Sequence, residues 1–315
     1  MTSKLAHVLT ELEPVVAREL ERHVEAAREW MPHEYVPWSL GRDFDGQMGG
    51  EAWDPTQSKL TDVIRTALVI NLLTEDNLPS YHREIHRCMG GDGAWGTWIG
   101  RWTAEEGRHA TAMRDYMMVT RAVDPVALER ERITHMIGGY SRDNDPDLFD
   151  TVAYVTFQEL ATRISHRNTG KLSGDPICER LLARIATDEN LHMVFYRNLL
   201  AAAFDFAPDR TMNAIWGAVS GFKMPGSTIE NFGRRSLQIA MAGIYDLRIH
   251  RDEVLLPVIR QLGVLDRSDL SGESTPARDA LGLFLEDLDE KAARFEVKRA
   301  AVLEGRARRQ TNAPS

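Results

Sequence analysis

Trp102-Thr103-Ala104-Glu105-Glu106-Gly107-Arg108-His109 is the stretch that decides the architecture, and Asp188-Glu189-Asn190-Leu191-His192 answers it later in the chain. Each contains Glu-x-x-His. On an α-helix, residues three apart lie side by side, so each carboxylate and its imidazole project together. Both pairs sit on stripes that are otherwise apolar. One stripe runs Trp95, Trp98, Trp102, Glu106, His109, Met113, Met117; the other runs Leu182, Ile185, Glu189, His192, Phe195. Two more stripes carry a single central glutamate: Ile64, Leu68, Leu72, Glu75, Leu78, and Val152, Val155, Glu159, Thr162, His166. Spacings of three and four put each set on one helix face, turned toward a core. A buried carboxylate is costly unless it is paired or binds a metal. Four of them, one per helix, call for a shared explanation.

The helical periodicity predicts four long helices over residues 59–87, 94–120, 148–167 and 176–203. Gly90-Gly91-Asp92-Gly93 separates the first two, and the segment from Thr169-Gly170 to Gly174-Asp175-Pro176 separates the last two. The midpoint of Glu75 and Glu106 falls between Gly90 and Gly91, and that of Glu159 and Glu189 falls on Gly174. Folding each pair as an antiparallel hairpin about its glycine loop therefore brings each lone glutamate level with a Glu-x-x-His. A longer connection, about 124–146, can cross the bundle and set both half-sites at one depth. A helix is expected near residues 12–30, followed by an irregular Pro/Gly/Trp-rich piece over 31–54. Further helices follow to about residue 301, with breaks at Pro225-Gly226 and Gly272-Glu273-Ser274 and a frayed tail over 305–315. The expected organisation is a single domain over 1–315: a metal-binding core at 59–203, an arm at 1–58 and C-terminal helices at 208–301.

Composition narrows the function. Of 315 residues, 47 are acidic and 38 basic, a net charge of −9, which excludes a sequence-independent nucleic-acid binder resting on a basic stripe. No apolar run is long enough to span a bilayer, so the chain is expected not to be membrane-embedded. The N-terminal stretch lacks the apolar segment of a secretory leader, and two cysteines, Cys88 and Cys178, fit a reducing cytoplasm.

A lone Glu on each of two helices, with Glu-x-x-His on each of the other two, is the general pattern of ferritin-like di-iron or di-manganese carboxylate bundles. The predicted fold is therefore all-α, a ferritin-like four-helix bundle core with additional flanking helices. Oxygen ligands with two imidazoles suit Fe(II), with Mn(II) as the substitute, and four carboxylates offset the charge of two divalent ions. The competing account is a metal-free bundle with buried Glu–Arg or Glu–His pairs. A zinc hydrolase lacks its His-Glu-x-x-His, and no glycine-rich phosphate loop follows a predicted strand.

Thr74-Glu75-Asp76-Asn77-Leu78-Pro79-Ser80-Tyr81, the Trp102–His109 stretch, Phe157-Gln158-Glu159-Leu160-Ala161-Thr162-Arg163-Ile164-Ser165-His166 and Asp188–His192 together resemble the soluble acyl-carrier-protein desaturases, including plant stearoyl enzymes and mycobacterial relatives. The resemblance extends more weakly over residues 12–288. It implies a homodimeric di-iron enzyme that uses O₂ and two electrons from a ferredoxin. Its reaction would insert a cis double bond into a saturated acyl chain held on acyl carrier protein. Glu75, Glu106, His109, Glu159, Glu189 and His192 match the ligands of two iron ions per chain, with Glu106 and Glu189 bridging. Thr162 matches the hydroxyl residue beside the oxygen site. Trp30, Trp102, His166 and Asp188 match outer positions, where an acceptor orients each ligating imidazole.

The chain departs from the plant members at Asn190 and Leu191, where they carry two basic residues. Carrier docking must then use other cations, with Arg83, Arg87, Arg234, Arg235 and the stretch 298–309 as candidates. The Trp-rich arm over 30–53 offers apolar surface for a dimer interface. Alternatives in the same fold are a ribonucleotide reductase small-subunit-like oxidase, an iron store and a relative without turnover. Met113 stands where the first of these carries its radical tyrosine.

Overall fold

Apolar side chains spaced three and four apart bring the expected helices together in a computed structural model, which describes residues 3–140 and 146–311. The core helices are α2 (Asp62–Asp76) with its continuation α3 (Leu78–Met89), α4 (Gly93–Val119), α6 (Leu148–Leu172) and α7 (Pro176–Phe206). An N-terminal helix, α1 (Ser3–Ala26), packs against α4 and α7, and α5 (Pro125–Gly138) lies in the crossover against α2. After α7 come α8 (Pro208–Ser220) and α9 (Phe232–Met241). Next is a run of α10 (Leu247–Ile249), a π turn (His250–Leu255) and α11 (Leu256–Gln261), and last the long α12 (Ser274–Thr311). No strand occurs among the described residues; the arm has one isolated bridge, Phe44 to Glu51.

The turns fall where the midpoints place them: Gly90 and Gly174 both adopt positive φ, which side chains with a Cβ resist. Several boundaries differ from expectation. The first predicted helix is two helices, because Asn77 leaves helical geometry and Pro79, in the first turn of α3, has no N–H to continue the ladder. Asn77 is fully buried; its Oδ1 accepts from Ser80 Oγ at 2.9 Å, and its Nδ2 lies 3.4 Å from His135 Nε2. Another difference is α6, which continues through Thr169-Gly170. Gly170 has no side chain to keep α7 away, and an added Cβ would sit 3.2 Å from Glu179 Cα. The N-terminal helix also starts earlier and stops earlier than expected, leaving Trp30 outside it. Residues 312–315 of the expected frayed tail lie outside the described residues, and 305–311 continue α12.

Much of the arm between α1 and α2 is gathered by one residue just after α4. Arg121, itself buried, donates through Nε to Gln57 Oε1 (2.8 Å), through Nη2 to the Glu51 carbonyl (2.7 Å) and through Nη1 to the Asp43 carbonyl (3.3 Å). Its guanidinium lies 4.0 Å over the Phe44 ring, and its own carbonyl accepts from Trp53 Nε1. The arm's tryptophans thus have separate fates: Trp30 is buried, whereas Trp38 stays exposed with Leu40 and Met48.

Gly170→Val tests the close approach of α6 and α7. The added side chain meets backbone and should lower stability by about 1–3 kcal/mol in thermal unfolding. Gly217→Ala in α8, where a Cβ meets nothing within 4 Å, should be neutral or stabilising.

Candidate metal centre

The six expected ligands come from four helices and meet in the core. Glu75 lies in the last turn of α2, Glu106 and His109 in α4, Glu159 in α6, and Glu189 and His192 in α7. All are between 0% and 7% exposed, so none of the four carboxylates is solvated. Their ligand atoms form two groups, Glu75–Glu106–His109–Glu189 and Glu106–Glu159–Glu189–His192, with all atoms of a group within 4.8 Å of one another. Glu106 and Glu189 belong to both.

Each of the six residues also has one buried atom without a hydrogen-bond partner among the described residues. These are Glu75 Oε2, Glu106 Oε1, His109 Nδ1, Glu159 Oε2, Glu189 Oε1 and His192 Nδ1. The orphans face one another. His192 Nδ1 is 2.8 Å from Glu106 Oε1 and 3.6 Å from Glu159 Oε2; His109 Nδ1 is 3.2 Å from Glu189 Oε1 and 3.8 Å from Glu75 Oε2. Lone pairs at that range repel unless a proton or a cation lies between them. The donor set of four carboxylates and two imidazoles fits two hard divalent cations.

Polar partners around the cluster turn ligands toward that space. His109 Nε2 donates to Asp188 Oδ2 at 3.3 Å, and His192 Nε2 donates to Glu105 Oε2 at 2.8 Å, so both Nδ1 lone pairs face inward. The arrangement is crossed: the carboxylate that immediately precedes each shared glutamate holds the imidazole of the opposite helix. Asp188 is itself fixed by Trp30 Nε1 (2.7 Å), Arg108 Nη2 (2.8 Å) and Arg184; Glu105 accepts from Arg101 Nε (2.5 Å). The two unshared glutamates are oriented by other donors. His166 Nε2 donates to Glu75 Oε1 at 2.8 Å and Trp102 Nε1 donates to Glu159 Oε1 at 3.2 Å. His166 and Trp102 thus hold carboxylates, whereas the outer positions were expected to serve the imidazoles. The ring of His166 is set by Asn71 Nδ2, 3.3 Å from its Nδ1.

Thr162 lies within reach of three acceptors: the carbonyls of Gln158 (3.2 Å) and Glu159 (3.0 Å), and Glu189 Oε2 (2.9 Å). One hydroxyl proton cannot serve all three, so it is free to change partner. Thr162 also lines a cavity, as do Glu75 and Glu106. The cavity passes Trp102 of α4, Val155 and Tyr154 along α6, and Tyr81 and Ile85 along α3, to Thr151 and Pro146. It contains about 620 Å³ of empty space, part of it open to solvent. From Thr162 to Thr151 is eleven residues of helix, roughly 16 Å at 1.5 Å per residue. Behind that end Thr151 Oγ1 donates to the buried Cys88 sulfur, whose thiol points to the Pro146 carbonyl.

Glu105, Arg101 and Arg184 have the same standing in the geometry as the residues foreseen. Their signal is present in the sequence: Arg101-x-x-x-Glu105-Glu106-x-x-His109 and Arg184-x-x-x-Asp188-Glu189-x-x-His192 repeat one nine-residue pattern. Helical spacing puts each arginine one turn before the carboxylate that it pairs with.

The electrostatics reflect crowding. Burial, then Glu189, Glu75 and Glu159, push Glu106 well above the usual carboxylate range. Burial and Glu189 push Glu159 up to about 8. Burial acts in the same sense on Glu75, but His109 and His166 overcome it and hold Glu75 below its ordinary value. For His109 and His192, burial disfavours the charged ring, yet the carboxylates around each raise both well above the ordinary imidazole value.

Comparison with known proteins bears on this geometry. Residues 4–311 match the family described as fatty acid desaturase. DesA1 of Mycobacterium tuberculosis, provisionally named an acyl-[acyl-carrier-protein] desaturase, is 49% identical over 98% of this chain and 94% of its own length. Acyl-[acyl-carrier-protein] desaturase 7, chloroplastic, of Oryza sativa subsp. japonica is 30% identical over 90% of this chain and 76% of its own. The X-ray structure of DesA2 of Mycobacterium tuberculosis H37Rv, also provisionally named an acyl-ACP desaturase, superposes with a TM-score of 0.69 at 34% identity. The match covers 82% of this chain and 95% of that one.

The raised values of Glu106, Glu159, His109 and His192 mean that cations and protons compete for the same atoms near neutral pH. Loading the metal-free chain with Mn(II) at pH 7 should release about two or more protons per chain. Apparent affinity should rise as pH rises toward about 8, where Glu159 loses its proton. Calorimetry in buffers of different ionisation enthalpy counts the protons; uptake without release would contradict the assignment of these atoms as ligands.

Proposed function

Because the chain belongs to the fatty acid desaturase family and is an oxidoreductase of its acyl-[acyl-carrier-protein] desaturase branch, we propose that it inserts a cis double bond into a saturated acyl chain on acyl carrier protein at a di-iron centre. Six converging ligands, each with its unpartnered atom turned inward beside an apolar cavity, carry this reading. The balanced reaction is R–CH₂–CH₂–R′ + O₂ + 2 e⁻ + 2 H⁺ → R–CH=CH–R′ + 2 H₂O, with a ferredoxin-type donor supplying the electrons.

Unactivated methylene C–H bonds are beyond side-chain acids and bases, and two ferrous ions bound by these ligands would supply the O₂ and hydrogen-removal chemistry. The chain's own residues do the rest. Glu75, Glu106, His109 and Glu189 would hold one ion, and Glu106, Glu159, Glu189 and His192 the other, with Glu106 and Glu189 shared. Asp188 and Glu105 keep the two Nδ1 lone pairs inward, and His166 and Trp102 keep the outer glutamates from turning away. Thr162 Oγ1 lies at the boundary of ligands and cavity, where its proton can move between Glu189 Oε2 and a group in the cavity. The apolar wall exposes the acyl chain to the centre while excluding bulk water.

In this reading Thr151, on the cavity lining and eleven residues of α6 from Thr162, would limit the reach of the chain. No helix among the described residues is long and apolar enough to cross a membrane. In this reading the substrate reaches the cavity on its carrier. Among the docking candidates, Arg83 and Arg87 pair with Glu84, and Arg235 makes two bonds to Glu131, while Arg234 remains exposed. A homodimer, in the cytoplasm, is part of the same reading. Trp30, buried at the centre, is not available to that interface, and Trp38 is.

Purified iron-loaded protein, given a panel of acyl carrier thioesters with ferredoxin, reductase and O₂, should yield products lighter by two hydrogens. Iron turnover without acyl product would sink the proposal. Glu159→Ala should lose an ion and at least most of its activity; retention of both ions and full turnover would refute the ligand set. Thr151→Phe should fold and bind metal normally but favour acyl chains several carbons shorter, read by product mass.

A further inference from the structure

The N-terminal helix reaches the centre through a residue that nothing above employs. His23 lies in the last turn of α1 and is 0% exposed. Its Nε2 donates to Glu105 Oε2 at 3.0 Å, the same oxygen that accepts His192 Nε2. The rings of His23 and His192 lie nearly parallel, 5.7 Å between centres and 19° apart.

The opposite pole shows the same construction. Trp30 donates to Asp188 Oδ2, which accepts His109 Nε2, and the Trp30 and His109 rings are 6.3 Å and 12° apart. The N-terminal segment therefore supplies one ring to each imidazole, and His23 stands to His192 as Trp30 stands to His109.

Packing alone does not account for a histidine here. Its Nδ1 is buried without a partner, and the rest of the ring meets the edge of Trp98 at 5.1 Å. An apolar side chain would fill that space without desolvating two ring nitrogens. What the imidazole adds is a donor for Glu105. Without it, Oε2 keeps only His192, while Oε1 is drawn by Arg101, which is 40% exposed and leads toward solvent.

We propose that His23 is a positioning residue for the second pole: it fixes Glu105 so that His192 Nδ1 faces the Glu159–Glu189 side of the cluster, and thereby sets the affinity of that pole for its ion. The proposal rests on the di-metal reading, and its test separates the two. Metal-free wild type, His23→Leu and His23→Gln are titrated with Co(II), following heat and visible absorption, with thermal unfolding of each metal-free chain alongside.

Wild type should take up two ions. His23→Leu should keep one affinity and weaken the other about tenfold to a hundredfold, the usual effect of removing an outer partner of a metal-bound histidine. His23→Gln, which retains an N–H at similar reach, should recover most of the loss. Should leucine prevent folding, His23→Asn, polar but too short to reach Glu105, carries the same expectation. Two wild-type affinities in the leucine variant, or equal weakening of both, overturns the role of His23 alone. A wild type that binds fewer than two ions overturns the di-metal reading and this proposal with it.

Discussion

Four buried carboxylates share a space a few ångströms across. Two unit charges 4 Å apart interact by about 4 kcal/mol at the effective dielectric that proteins show, and several such repulsions rival a domain's whole stability of about 5–15 kcal/mol. Ionising all four together is therefore incompatible with folding unless counter-charge is present. In the metal-free chain the crowding pushes Glu106 and Glu159 above the usual carboxylate range, toward their neutral forms. Two divalent cations would resolve it by setting four positive charges against the four carboxylates. The formal net charge carries the same message: four of the negative charges behind the −9 total are not surface charges at all.

Around this conflict the structure is layered, and each layer constrains the one inside it. Oxygens and nitrogens that could turn away are tied back by Asp188, Glu105, His166 and Trp102, and the first two are tied in turn by arginines one helical turn earlier. Crossing matters here. Since α4 orients a histidine of α7 and α7 orients one of α4, the relative rotation of these helices is specified by polar contacts as well as by packing. Arg121, with no acidic partner among the described residues, does comparable duty for the irregular arm through carbonyls and one aromatic face.

The helices, their turns and the six inward-facing residues were legible because they follow from period and from the oddity of glutamate on an apolar stripe. The break at Asn77 was not: Pro79 announces it, but the unbroken stripe from Ile64 to Leu78 speaks for continuity, and tertiary contacts to Ser80 and His135 decide. Glu105 escaped notice because it lies beside the stripe, and its pairing depends on how α4 meets α7. Its repeat with Asp188 was nevertheless readable, as was the burial of His23. Leu12, Val16, Glu19 and His23 follow the helical period and are all buried, so the N-terminal helix carried the same kind of signal as the other four. His166 and Trp102 lie beside the cluster, on the faces that their stripes predict, but the atoms they hold were not readable, since sequence spacing fixes a face and not a partner.

The joint at Asn77 has a consequence for how such a cavity can diverge. On α6 the ligand Glu159 and the wall residues Val155 and Thr151 share one rigid rod, and any shift of the wall drags the ligand with it. On the opposite side Glu75 lies in the last turn of α2, and the wall residues Tyr81 and Ile85 belong to α3, beyond the break at Asn77. Substitutions in α3 can therefore reshape the tunnel while leaving the carboxylate where it is. Selectivity and chemistry are mechanically uncoupled on one side only, which makes α3 the helix along which new acyl preferences can arise with least damage to turnover.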